Sequence, residues 1–237
     1  MARPKRRESF SDASFAIAEH RLPTEIGLDA VDWKDVFGWW CTCTSVAFIW
    51  PQVFRSFRHD TTQGISPLGC VYAIVGSNVW FFYSFWQHIP AGYAANVAFT
   101  AAQSLIAYVL IRHAKMSWAY FLSFLVASIV ISVASYGISI DVLGWAAIIM
   151  SVTGAVPQFA HVVKTHDLHG LSVPSLSILV TSCVSWFLYG FFINEVYYWI
   201  PQVLFIPMNS FILWKAHTWH SRNRADILER VTGIEPA

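Results

Sequence analysis

Residues 35–52 read "DVFGWWCTCTSVAFIWPQ" and residues 141–158 read "DVLGWAAIIMSVTGAVPQ". Asp35, Gly38 and Trp39 meet Asp141, Gly144 and Trp145; Ser45 and Val46 meet Ser151 and Val152; Pro51–Gln52 meets Pro157–Gln158. At the same spacing and without a gap, "GIS" from Gly64 meets "GLS" from Gly170, Trp80 meets Trp186 and Tyr83 meets Tyr189. A match of this length is an internal duplication rather than one recurring motif.

What is duplicated is apolar. Of 237 residues 56% are hydrophobic and 12% charged, with 12 Trp and 18 Phe, more apolar surface than a water-soluble domain of this size can cover. Seven stretches lack Asp, Glu, Lys and Arg altogether: Val36–Phe54, Pro67–Trp86, Ala91–Ile111, Trp118–Tyr136, Val142–Val162, Ser172–Ile193 and Tyr197–Trp214. At a rise of roughly 1.5 Å per residue each is long enough for a hydrocarbon core of about 30 Å. The expected fold is all-α and membrane-spanning, with seven transmembrane helices.

Three of those spans make up each copy. A second copy joined directly to an odd number of crossings enters the membrane upside down, and the unmatched span Trp118–Tyr136 restores its direction. The copies are therefore expected as parallel repeats about an axis along the membrane normal, with a solute site near the midplane between them. The chain divides into a polar N-terminal tail (1–35), a first three-helix repeat (36–113), a linker transmembrane helix (114–140), a second repeat (141–219) and a C-terminal tail (220–237).

Charge sets the orientation. The loops after the first, third and fifth spans and the C-terminal tail carry Arg55, Arg58, Arg112, Lys115, Lys164, Lys215, Arg222, Arg224 and Arg230; the loops after the second, fourth and sixth carry no Lys or Arg. By the positive-inside rule both PQ segments and the C-terminus face the cytoplasm and the N-terminus lies outside. The tail's six basic residues oppose this, but seven acidic ones accompany them. The tail lacks the apolar run of a signal peptide, and a net charge of +1 argues against nucleic-acid binding. Cys41, Cys43, Cys70 and Cys183 all fall within spans and read as small packing side chains rather than disulfides or a metal site.

Proline removes a backbone donor and crowds the preceding turn, so a membrane helix keeps one mainly where a kink is tolerated. Pro51 and Pro157, each followed by a glutamine (Gln52, Gln158), read as hinges in which the glutamine satisfies the carbonyl left unpaired. Pro67 and Pro174 open the next spans, as gating elements or simply as helix starts. At these residues the chain resembles the PQ-loop superfamily, and three helices, a linker helix and three helices look like its SWEET sugar-facilitator branch, over roughly residues 35–219. The resemblance implies that the tryptophans of "WFFYS" from Trp80 and "WFLYG" from Trp186 face the solute, with Asn96 and Gln202 opposite, each sixteen residues on. Gly76 and Ser182, one turn before the tryptophans, are expected to line the same cavity. Gln202 stands where the family has asparagine, and Phe48, three residues before Pro51, is bulkier than the small residue usual there.

The pocket's chemistry can also be argued from the residues. An indole face suits the C–H side of a sugar ring and amides suit its hydroxyls. Against this, tryptophans also form interfacial belts, and Gln103 and Asn209, a second matched pair, read as glue between helices. No span holds a carboxylate for ion coupling, so the expectation is alternating-access facilitated diffusion of a small neutral solute, most simply a sugar, across the plasma membrane. The alternatives are a cystinosin-like proton-coupled carrier, with the pairs His59–Asp60 and His166–Asp167 as its candidates, and a KDEL-receptor-like sorting receptor, for which Arg55, Arg58 and Arg112 lie only at the boundary. No enzyme chemistry, cofactor or metal is expected; His161, His166 and His169 read as ordinary polar residues. The expected partners are a sugar-like solute and the bilayer, with room for a homo-oligomer.

Overall fold

The computed structural model describes residues 32–62, 65–164, 168 and 171–232; inside the helices, the side chains at 157, 158, 161 and 224–232 lie outside that description. Seven α-helices are present among the described residues: α1 Trp33–Arg58, α2 Pro67–Trp86, α3 Pro90–Arg112, α4 Trp118–Ile138, α5 Ile140–Lys164, α6 Val173–Phe192 and α7 Val196–Thr232. Each start has a local cause. Ser66, Ser117 and Ser172 accept from the backbone N–H of Gly69, Tyr120 and Ser175, so a hydroxyl caps the free amides of α2, α4 and α6. Pro67, Pro90 and Pro174 occupy first-turn positions, where a missing N–H costs nothing.

Two boundaries depart from the charge-free stretches. α1 passes through Pro51 to Arg58, placing the proline inside the helix, two turns before its end. One proline deletes a single ladder bond and the following turns continue. α7 runs to Thr232, beyond the apolar stretch and through residues read as tail, because its last turns have only to be helical, not lipid-soluble.

α2, α3, α4, α6 and the Val196–Asn223 part of α7 are long and apolar enough to cross a membrane; in α5 the apolar run is the shorter Ile140–Val156. α4 shows which solvent the fold expects. It exposes Leu122, Val126, Ile129, Val130 and Val133 and buries Ser128 and Ser132. Apolar side chains outward and serines inward is the pattern of a helix facing lipid and packing through small polar residues. The chain is a multi-pass membrane protein.

Helix packing follows the duplication. α3 lies between α1 and α2, and α7 lies between α5 and α6. Across the two units α1 packs on α6 and α2 on α5, the same pairing with the copies exchanged. α4, which has no counterpart, packs on α2 and α5. The buried side chains divide unevenly along the bundle. At the end remote from the PQ segments one cluster joins both units, with Val79, Tyr83 and Ala91 against Leu143, Tyr189 and Tyr198. Toward the PQ end each unit keeps its own cluster, Val53, Ile74 and Ile106 in the first and Val162, Leu176 and Ile212 in the second. The units are thus fused at one end and separately packed at the other.

Candidate functional site

A cavity of about 150 Å³ lies between the units, where the shared cluster ends. α2 and α6 supply Trp80 and Trp186, α3 supplies Asn96 with Ala95 and Phe99, α7 supplies Tyr198 and Gln202, and α1 supplies Ser45. Trp80, Asn96, Trp186 and Gln202 therefore converge on one space. Gly76 and Ser182 do not line it. The Cβ position of Gly76 faces Met150 of α5 at 3.9 Å, and the Ser182 hydroxyl lies 3.1 Å from that of Ser45. One turn from each tryptophan, the opposite unit already covers the helix face.

The indoles are tied across the interface in a crossed pair. Trp80 Nε1 donates to Ser151 Oγ at 2.7 Å, and Trp186 Nε1 donates to Ser45 Oγ at 2.8 Å. Each serine in turn donates to the carbonyl four residues back, Ser151 to Ala147 at 3.0 Å and Ser45 to Cys41 at 3.0 Å. With both N–H groups engaged, the tryptophans offer the cavity mainly their aromatic surfaces. The serines were visible in the sequence as a repeat-matched pair; what could not be read there is that each would serve the other copy's tryptophan.

Tyr198 closes the remote side. Its ring centroid stands 5.3 Å from that of Trp80 and 5.3 Å from that of Trp186, then 6.3 Å from Tyr83 and 6.3 Å from Tyr189. Equal spacing from repeat-related partners places this ring on the axis relating the units. Its hydroxyl donates to Ser84 Oγ at 2.6 Å, while Ser84 donates to the Trp80 carbonyl at 2.5 Å. The position matching Tyr198 in the first copy is Gly92, where an added Cβ would lie 1.8 Å from the Tyr198 hydroxyl. A glycine in one copy opposite a large aromatic in the other was the signal by which the sequence could have disclosed this residue.

Two carboxylates seal the same end. Tyr83 donates to Glu195 Oε1 at 2.5 Å, with Gln87 Nε2 3.5 Å from Oε2, and Tyr197 donates to Asp141 at 2.8 Å. Toward the PQ end, Tyr72 of α2 hydrogen-bonds Thr153 of α5. Asn96 and Gln202, though repeat-related, are held differently. Asn96 Nδ2 donates to the Gly92 carbonyl at 2.8 Å, whereas Gln202 Oε1 is buried with no hydrogen-bond partner among the described residues. A buried acceptor left unpaired beside a cavity is an energetic cost that a donor on a bound molecule removes.

The PQ loop repeat matches residues 34–103 and 139–199, more than half of the chain. This chain belongs to the PQ-loop repeat family. A solved structure, that of a eukaryotic SWEET transporter, superposes with a TM-score of 0.64 at 11% identity, over 80% of this chain and 99% of that one. At that identity the similarity speaks for a SWEET-like fold. No curated protein matches the chain.

Pro51 and Gln52 are exposed on α1, and the Gln52 side chain reaches no acceptor among the described residues, so it does not satisfy the carbonyl freed by Pro51. Successive side chains diverge by about 100° around a helix, which turns Gln52 away from the interrupted turn. Pro157 and Gln158 lie on α5, but their side chains fall outside the described residues, as do His161, His166, Asp167 and His169. Asp60 is bonded to Arg112 and, at 2.8 Å, to His113 Nε2, tying the first PQ loop to the end of α3. Gln103 is buried and its backbone carbonyl, not its amide, accepts from Cys70 Sγ at 3.4 Å; Asn209 Nδ2 lies 3.7 Å from Cys183 Sγ, both between helices of one unit.

Proposed function

We propose that this chain is a transporter that moves a small neutral polar solute, a sugar or a molecule like one, by alternating access. One observation carries the reading: two tryptophans and two amides from matched positions of both units meet at one cavity on the axis between them. A cavity of about 150 Å³ holds on the order of ten waters, the scale of one small solute and not of a peptide, which argues against a sorting receptor. The lining bears no charged side chain, so a neutral solute enters without an unpaired ion being buried.

In this reading all seven helices cross the plasma membrane as two parallel repeats, with the PQ segments and C-terminus cytoplasmic and the N-terminus outside. The fused remote end makes the described state closed to the outside. Transport then exchanges the single shared cluster for its counterpart at the PQ end, with Pro51 and Pro157 as the flexible points and Pro67 and Pro174 at the starts of the helices that follow. Aromatic stacking with a few amide contacts gives the weak binding that release requires.

A second reading, a proton-coupled carrier, is favoured by Glu195 and Asp141, which accept the hydroxyls of two gate tyrosines and bring titratable groups to the closing end. The test is uptake of labelled sugars, amino acids and vitamins into liposomes, with and without a pH gradient. Sugar flux indifferent to pH supports the facilitator, flux that follows the gradient supports the coupled carrier, and no flux of any solute rejects transport. Trp186→Ala and Asn96→Ala should each abolish uptake while the protein stays membrane-inserted; wild-type uptake by both rejects the site.

A further inference from the structure

Beside the cavity the first unit contains a polar chain that the second, among the described residues, does not. Thr100 of α3 donates to Asn78 Oδ1 of α2 at 3.2 Å, and Asn78 Nδ2 donates to Ser128 Oγ of α4 at 3.0 Å. Ser128 closes the chain on the Leu125 carbonyl at 2.6 Å. At the other end Ser77 of α2, 2.9 Å from Thr100, donates to the backbone carbonyl of Asn96 at 2.9 Å and lies 3.4 Å from its Oδ1. Thr100, Asn78 and Ser128 thus join α3, α2 and the linker helix by hydrogen bonds, and Ser77, packed against the Thr100 hydroxyl, bonds the backbone of Asn96, a residue lining the cavity.

The duplication supplies an internal comparison. At the positions matching Ser77, Asn78 and Thr100 the second unit has Cys183, Val184 and Ile206, which cannot continue such a chain, and α4 has no counterpart beside it. The amide of Gln202 is correspondingly untethered, with its Oε1 unpaired, while Asn96 is bonded to Gly92 and approached by Ser77. The polar chain also gives Ser128, fully buried on α4 as Ser132 is, a partner on α2.

We propose that Ser77, Asn78, Thr100 and Ser128 are positioning residues for solute binding, holding Asn96 at the cavity wall and making the linker helix part of the first rigid half. The inference rests on the transport reading, in which Asn96 contacts solute. It makes the site unequal: the first unit presents a fixed amide, and the second presents an adaptable one that orders on binding. Hydrogen bonds between membrane helices have small net values, so loss of one link predicts a modest change in affinity and not a collapse of the fold.

The test uses the full chain in liposomes with labelled glucose as probe, measuring KM and maximal rate separately. Thr100→Val and Ser128→Ala should each raise KM by about three- to tenfold at unchanged maximal rate and unchanged amount in the membrane, from the worth of one such bond. Thr100→Ser should restore KM, which a merely packing role for the threonine methyl does not predict. Asn96→Ala without uptake beside Thr100→Val and Ser128→Ala at wild-type KM overturns the positioning role and spares the site. A silent Asn96→Ala overturns the site reading and this inference with it.

Discussion

Substituting Gly92 by alanine strikes the plug at its most crowded point. The new Cβ would lie 1.8 Å from the Tyr198 hydroxyl and 2.8 Å from Ser84 Oγ, so the tyrosine must leave its seat. What it forfeits there is one hydrogen bond to Ser84 and ring contacts at 5.3 Å with Trp80 and Trp186. A hydrogen bond inside a membrane protein contributes about 0.6 to 1.7 kcal/mol and each aromatic pair about 0.5 to 1.5 kcal/mol, so the closed remote end loses roughly 2 to 5 kcal/mol. At about 1.4 kcal/mol per tenfold, its open population rises at least tenfold. The assay is the rate at which an impermeant thiol reagent, applied on the side remote from the PQ segments, modifies an Ala95→Cys reporter in a background where the four native cysteines are alanine. Ala95 lines the cavity beneath the plug. Tyr198→Phe removes the nearest atom that the new Cβ meets and leaves Ser84 Oγ at 2.8 Å, so adding it to Gly92→Ala should lower labelling toward the level of Tyr198→Phe alone, about threefold above the parent for one lost bond. Labelling of Gly92→Ala at the parent rate, or a double variant that labels as fast as Gly92→Ala, refutes the plug.

Three further outcomes are expected. Ser45→Ala and Ser151→Ala each strip one indole N–H of its partner across the interface, and the pair together should lower uptake more than either alone, read as initial rates in liposomes; additive wild-type-like rates count against the crossed tethers. Pro51→Ala combined with Pro157→Ala should slow exchange more than it weakens binding, and unchanged exchange rates remove the flexible points from the mechanism. Asp60→Asn should shift the melting temperature by no more than about 2 to 4 °C, because Asp60 and its partners Arg112 and His113 are 55%, 47% and 34% exposed and such pairs contribute under about 1 kcal/mol; a larger shift means that this loop does more than hold a surface contact.

Much of the architecture was legible because it is written in one dimension. Charge-free length marks a helix, so α2 begins and ends where its stretch does, at Pro67 and Trp86. The duplication marks equivalence, and Trp80 with Trp186 and Asn96 with Gln202 come together because equivalent residues near an axis must meet. What stayed hidden depends on which helix lies across. Gly76 and Ser182 share a face with their tryptophans, yet Met150 and Ser45 of the opposite unit cover them. Gln52 follows its proline in sequence but points away from it on the helix. The polar chain from Thr100 to Ser128 joins three helices, and no spacing rule within one helix reveals a bond whose partners come from three.

The tyrosine on the axis bears on how such a molecule can arise. Two identical half-length subunits pairing as a homodimer would carry the same residue at positions 92 and 198. Two tyrosines would contend for one seat, and two glycines would leave a hole through the end of the bundle. A single ring there requires the halves to differ, and they are free to differ only once the linker helix has made them one polypeptide.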